Sequence, residues 1–118
     1  MIEDLVSKVF TTRNAAHLAH WKTKSFSQHS ALGDFYEDSI DAIDTVVEAY
    51  QGAYDLINVG ILQGQPAQFD IIAQLQSDLE FIAKDRQNIT KGSAAIDNKL
   101  QELEGVYLKT LYRLKNLA

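Results

Sequence analysis

Apolar residues recur at intervals of three and four through most of this chain, and that spacing confines it to helices. Ile96, Leu100, Leu103, Tyr107, Leu111, Leu114 and Leu117 form one such series, and Phe69, Ile72, Leu75 with Gln76, Leu79, Ile82, Arg86 and Ile89 form another. A third consists of Ile2, Val6, Val9, Arg13, Ala16 and His20, with two polar members. An interval of three or four brings side chains onto one face of a helix with 3.6 residues per turn. No segment alternates with period two over a useful length, so no strand is expected.

The breakers lie in Thr23 to Gln28, in Gly60 to Gln68 with Gly64 and Pro66, and at Lys91-Gly92-Ser93. They divide the chain into four helices, with Gly92 a C-terminal stop for the third and Ser93 an N-cap for the fourth. The second helix, from about Gln28 to Val59, carries Leu32, Phe35, Tyr36, Ile40, Ile43, Val46, Val47, Tyr50 and Tyr54 around much of its circumference. Such a helix is buried on two sides. Three partner helices cover one broad side, and the remainder points to a second subunit packed on helices one and two. The expected architecture is an all-α antiparallel four-helix bundle, residues 1–118 forming one domain and at least a homodimer.

The chain has 118 residues, 46% of them hydrophobic, enough for a core of its own. It has no cysteine, which excludes a disulfide framework, a thiolate nucleophile and Cys-ligated zinc or iron. Any metal must therefore sit on His and carboxylates. The net charge is −5. Residues 1–60 carry nine acids and four bases while residues 61–118 carry seven of each, so the excess lies in the first half. With no basic tail or Lys/Arg run, direct DNA binding is not expected. No stretch approaches the ~20 apolar residues of a bilayer crossing. The N-terminus MIEDLVSKVF has no secretory features, which implies a cytoplasmic protein, in the host cytoplasm if the gene is viral.

All three histidines, His17, His20 and His29, fall in the first thirty residues. His20 lies in the middle of the apolar stripe of helix one, where each ring nitrogen needs a partner. A carboxylate from helix two is the simplest structural one, and a metal is the functional one. On helix two Asp34, Glu37, Asp41, Asp44, Glu48 and Asp55 line one edge. A solvated face accounts for most of that stripe, yet like charges four apart repel unless cations offset them. Arg13 and Arg86, at core-facing positions, are expected to pair with acids of helix two such as Asp55 or Asp41. Trp21 and the tyrosines are expected to pack in the core. Ser25, Ser27 and Ser30 near His29 make no nucleophile elbow, and no Lys-Ser/Thr pair follows Gly60 or Gly64 to make a phosphate loop.

His20-Trp21 on helix one, His29 opening helix two, then Asp44 and Glu48 combine into a sharper pattern. Two imidazoles and two carboxylates suit Fe(II), Zn(II) or Mn(II) and serve Ca(II) or Mg(II) poorly. His29 and Asp44 are about four turns apart, ~22 Å, so they cannot hold one ion within a single helix. A joint site requires an antiparallel copy of helix two, which means a two-fold dimer.

The run His17-Leu-Ala-His20-Trp21, followed by His29 and then Asp44-Thr-Val-Val-Glu48, resembles the ferroxidase signature of the Dps proteins, the mini-ferritins that protect DNA during starvation. The resemblance implies a ferritin-like bundle that binds iron at a site shared across a two-fold interface and oxidises it with peroxide or oxygen. His20, His29, Asp44 and Glu48 take ligand roles by position, and Asp34 or Glu48 could bridge to a second, weaker iron. Zinc or manganese could stand in its place. The whole chain is also similar to small ferritin-like proteins of tailed phages, from which no activity carries over. The family's Asp four residues after the second His is Gly33 here, and the interval between the two histidines is shorter. The stretch Ile61 to Gln68 is too short for the extra helix that Dps proteins carry there, and a DNA-binding cage is not implied. The alternative is a non-catalytic structural or protein-interaction bundle that has lost ferroxidase activity. An intrachain di-iron site is excluded, since it needs Glu-x-x-His motifs on two helices and no His follows residue 29.

Overall fold

Local chemistry sets the helix ends. The computed structural model describes residues 1–60 and 70–117 and contains α1 (Ile2–Lys22), α2 (Phe26–Ala53), α3 (Ile71–Thr90) and α4 (Ala94–Asn116). Ser25, Asp70 and Ser93 are N-caps whose side chains accept from the backbone N–H of Gln28, Ala73 and Ile96, satisfying donors that the first turn leaves without partners. Between α3 and α4 the chain turns through Lys91 at φ 51° and Gly92 at φ 83°, a left-handed pair in which the glycine carries no steric cost. Ser93→Ala is expected to lower stability by about 1 kcal/mol, measured by urea denaturation, because it leaves the α4 start uncapped.

The expected C-terminal stop at Gly92 and the Ser93 cap are both observed. The second helix differs from expectation at both ends, starting at Phe26 and ending at Ala53. After it, the Ile57 N–H donates to the Gln51 side chain at 3.0 Å, and Ile57 and Val59 fold back against the core. Burying those two side chains favours leaving the helix. Tyr54 consequently lies outside the core, 38% exposed. Expectations about Gly64, Pro66, Phe69 and the stretch Ile61 to Gln68 lie outside the described residues.

The two ends of the bundle fix its topology. At one end Lys22 of α1, Gln28 of α2, Ile71 of α3 and Leu114 of α4 line one cleft. At the other, the amine of Met1 pairs with Asp85 of α3, and the Lys91 ammonium lies over the rings of Tyr50 and Tyr54 at 5.0 and 4.7 Å. Hence α1 and α4 point one way and α2 and α3 the other. In cross-section α2 packs against α1 and α4, and α3 packs against the same two, so every adjacent pair is antiparallel and α2 and α3 lie on a diagonal. Tyr54 and Asp70 stand at opposite ends of the bundle. The consecutive helices α2 and α3 thus run parallel across the diagonal of an antiparallel four-helix bundle.

The core contains Leu5 and Val9 of α1, Phe35 and Ile43 of α2, Leu75 and Ile82 of α3, and Leu100 and Tyr107 of α4. Phe35 meets Tyr107 edge-on at 5.1 Å, joining the most extensively packed helix pair. Among the described residues no helix is long and apolar enough to cross a membrane.

Candidate metal centre at the α1–α2 junction

The turn Thr23–Ser25 reverses the chain tightly enough to bring the last turn of α1 against the first turn of α2. Its own bonds hold it: the Thr23 hydroxyl donates to the Gln28 side chain at 3.0 Å and accepts from the Ser25 N–H at 3.2 Å. His20 and His29 face each other across this junction with ring centroids 3.6 Å apart and planes 19° from parallel. Nδ1 of His20 lies 2.6 Å from the His29 carbonyl oxygen, and Nδ1 of His29 lies 2.8 Å from the His20 carbonyl oxygen.

That reciprocity decides the tautomer. A carbonyl oxygen only accepts, so both Nδ1 atoms must carry hydrogen and donate. In the neutral rings Nε2 is then the atom with the free lone pair. Donation from one ring nitrogen to a backbone carbonyl is the usual support of a metal-bound imidazole, because it fixes the ring and raises the basicity of the other nitrogen. The His20 carbonyl belongs to the last turn of α1, whose carbonyls have no helical partner, so the His29 donation also caps that helix. The carboxylate partner expected for His20 is replaced by a main-chain oxygen. The short turn brings the α2 backbone, rather than an acidic side chain, alongside the ring.

Gly33 explains how the ring fits. A Cβ at this position would stand 3.0 Å from Cε1 and 3.3 Å from Nδ1 of His20. The hydrogen at Gly33 therefore makes room for the imidazole where the Dps pattern has a carboxylate. Asp34, beside it, is not turned toward the histidines. Its carboxylate accepts from Arg113 of α4 at 2.6 Å, and the same guanidinium donates to Ser30 at 3.2 Å.

Asp44 and Glu48 lie farther down α2, exposed and without an ion-pair partner among the described residues. Fifteen residues of continuous helix separate Asp44 from His29, ~22 Å along the axis. Within one chain no three His, Asp or Glu side chains come together among the described residues. One chain thus presents an imidazole pair at the top of α2 and, separately, a carboxylate pair in its second half. The donor set fits a borderline cation only if two chains supply it.

Other aromatic groups extend the junction along the α1 and α2 face. His17 stacks on Tyr36 at 4.0 Å and 11°, and the Trp21 ring lies 4.8 Å from His17. Trp21 is 68% exposed, contrary to the expectation that it packs, since its position is turned about 100° from His20 on the wheel. Arg13 also departs from expectation. Its guanidinium lies 5.5 Å from the Tyr36 ring, Nε donates to the Tyr36 carbonyl at 3.3 Å and a terminal nitrogen donates to Asn14, with no acid of α2 involved. Arg86 bridges Asp97 and Glu104 of α4. The diagonal placement of α2 and α3 is the reason, because it keeps Arg86 away from the α2 acids.

The most buried charge is one that pattern reading passed over. Asp78 is 1% exposed, and its Oδ2 accepts from the Thr12 hydroxyl at 2.5 Å and the Tyr107 hydroxyl at 2.6 Å, while Gln74 donates to Oδ1 at 3.3 Å. Burial raises its pKa from the ordinary value near 3.8, opposed by the hydroxyl donors and by Lys8. The Tyr107 phenol is pushed well above its usual range by burial and by the neighbouring carboxylate. A signal was present, since Asp78 stands between Leu75 and Ile82 at core spacing.

No curated protein and no solved structure matches the chain. A model of a family of unknown function, DUF5856, matches residues 20–114, from His20 across α2, α3 and most of α4, and the chain belongs to that family.

Proposed function

We propose that the protein is a Dps-like iron-binding bundle acting as a two-fold homodimer, with Fe(II) as the substrate of a site shared between subunits. His20 and His29 of one subunit supply two neutral nitrogen ligands, and Asp44 and Glu48 of the partner subunit supply two anionic oxygen ligands. The observation that carries this reading is the reciprocal donation from the two Nδ1 atoms to main-chain oxygens, which leaves the lone pairs at Nε2 for a ligand role. The reading requires antiparallel packing of α2 on its copy. The midpoint of His29 and Asp44 falls between Tyr36 and Glu37, and that of His29 and Glu48 between Asp38 and Ser39. Half-buried Tyr36 and Ile40 lie beside this centre, giving the axis apolar surface to cover. Partner carboxylates would neutralise the cation, and the rings, stacked 3.6 Å apart, must turn out of the stack to direct both lone pairs at one ion.

Anaerobic Fe(II) titration followed by calorimetry, repeated with Zn(II) as a redox-silent probe, tests the reading. Saturation at about one ion per subunit, with affinity at least tenfold weaker in His20→Ala and in Asp44→Ala, is expected from the loss of one ligand in four. Mixing the two inactive variants should restore part of the binding, because a mixed dimer keeps one intact site. Unchanged binding in either variant removes the proposal. Adding peroxide to the loaded protein tests oxidation by the growth of ferric absorbance.

Gly33 and the engagement of Asp34 with Arg113 favour a second reading, in which the bundle is a non-catalytic structural or interaction protein. Binding of Zn(II) and Fe(II) with no accelerated oxidation would select it.

A further inference from the structure

The outward face of α4 has a pattern of its own. Ala94, Asn98, Gln101, Gly105, Leu108 and Tyr112 follow one another at intervals of four, three, four, three and four. That is the 3.5-residue repeat of a helix-pairing seam, on the side of α4 opposite its buried Leu100, Leu103 and Tyr107. No residue of the seam is charged. Leu108 and Tyr112 are 57% and 60% exposed, and a Cβ added at Gly105 would meet nothing within 4 Å. The core of the bundle gains nothing from apolar side chains here.

We propose that this face pairs with the same face of a second copy of the chain, antiparallel, about a two-fold axis between Gly105 and Val106. Three features of the helix are self-complementary about that point. Glu102 and Lys109 flank the seam on one side at equal distances from the axis, so antiparallel pairing sets Glu102 against Lys109 of the other copy, twice. Glu102 has only an exposed contact with Lys99 at 3.7 Å in its own helix, and Lys109 has no ion pair among the described residues. Second, Tyr112 falls opposite Lys99, in a shallow depression of about 570 Å³ lined by Ala95, Asn98, Lys99, Gln101 and Glu102. A projecting ring and a depression stand at mirrored positions on one helix. Third, the absence of a side chain at Gly105 lets the two backbones approach at the crossing point. Parallel pairing would instead place Glu102 and Lys109 of the two copies on opposite sides of the seam and leave the depression without a ring.

This contact lies on α4, away from the α1 and α2 face, and does not depend on the iron reading. One helix per subunit makes a small interface, so dissociation on the order of 10 µM is expected. Two separate two-fold contacts would extend a dimer into a larger assembly.

The chain has no cysteine, which makes single-cysteine variants clean probes. Under mild oxidation Gly105→Cys is expected to form a disulfide-linked dimer, because the two Cα atoms lie directly beside the axis. Ala94→Cys alone is not, while Ala94→Cys mixed with Asn116→Cys is, since those positions come within one residue rise of each other on the same face only in the antiparallel arrangement. In sedimentation velocity Glu102→Lys should weaken association about tenfold by turning two attractions into repulsions, and the double reversal E102K/K109E should restore it. Ile40→Glu, on the other face, should leave the Gly105→Cys cross-link intact whatever it does to metal binding. Absence of that cross-link, failure of the double reversal to restore association, or a protein that stays monomeric at all concentrations each overturns the proposal.

Discussion

Asp78→Ala is expected to destabilise the protein by about 3 kcal/mol and to lower its melting temperature by more than about 10 °C. The substitution removes the acceptor of two buried hydroxyl donors, Thr12 and Tyr107, and opens a gap where α1, α3 and α4 meet. Tyr107 is fully buried and cannot turn its hydroxyl to water. Leaving buried donors without acceptors costs about 1–3 kcal/mol each, partly offset because an ionised carboxylate no longer has to be desolvated. The cluster as a whole contributes less than the single change suggests. The combined variant Thr12→Val, Asp78→Leu, Tyr107→Phe is expected to be at least as stable as the wild type, since a shape-matched apolar set needs no acceptor. Chemical denaturation of the two variants decides it: if the triple change costs as much as Asp78→Ala, the cluster stabilises the fold in its own right.

Asp78 also predicts a pH dependence with a definite sign. Its folded pKa is raised, mainly by burial, so the folded state holds a proton more tightly than the unfolded chain. The stability from this group is fully present below the unfolded value near 3.8 and is lost as pH rises through the folded value. Asp78→Asn, neutral at every pH, should therefore gain on the wild type as pH is raised above about 4 toward neutrality. Thermal melts of the pair across that range check the direction. An Asp78→Asn variant that loses ground to the wild type with rising pH would mean that the hydroxyl donors outweigh burial.

Gly33→Asp, which restores the carboxylate of the Dps pattern, is expected to weaken metal binding at least tenfold and to cost about 2 kcal/mol of stability. Its Cβ would press on the His20 ring at 3.0 Å. That ring cannot yield without giving up its bond to the His29 carbonyl and the 3.6 Å stack. A gain of a few tenths of a kcal/mol in helix propensity over glycine offsets only part of this. Zn(II) titration and urea denaturation of the variant test both halves. Tighter binding with unchanged stability would show that the junction can accommodate the carboxylate that the Dps pattern has at this position and that the carboxylate dominates the affinity.

The fold was legible in the sequence because helix periodicity, caps and breakers are local. Four series of apolar residues, Ser93 as a cap and Gly92 as a stop all describe interactions within a few residues, and each appears where the spacing puts it. The end of α2 was not legible, since Ile57 and Val59 leave the helix for a core assembled by distant segments. The partners of Arg13 and Arg86 were missed for a related reason: periodicity tells which side of a helix faces inward but not which helix lies opposite, and the diagonal placement of α2 and α3 settles that. At the candidate site the sequence by itself determined the residue types, imidazoles at His20 and His29 and carboxylates at Asp44 and Glu48, and the ~22 Å of helix that keeps His29 from Asp44, because both follow from residue identity and helix rise. Only the tertiary structure decided that His20 leans on a main-chain oxygen, that Gly33 is the space its ring occupies, and that Asp34 belongs to Arg113. Those outcomes depend on side-chain packing across a junction, where differences of tenths of an ångström choose the partner.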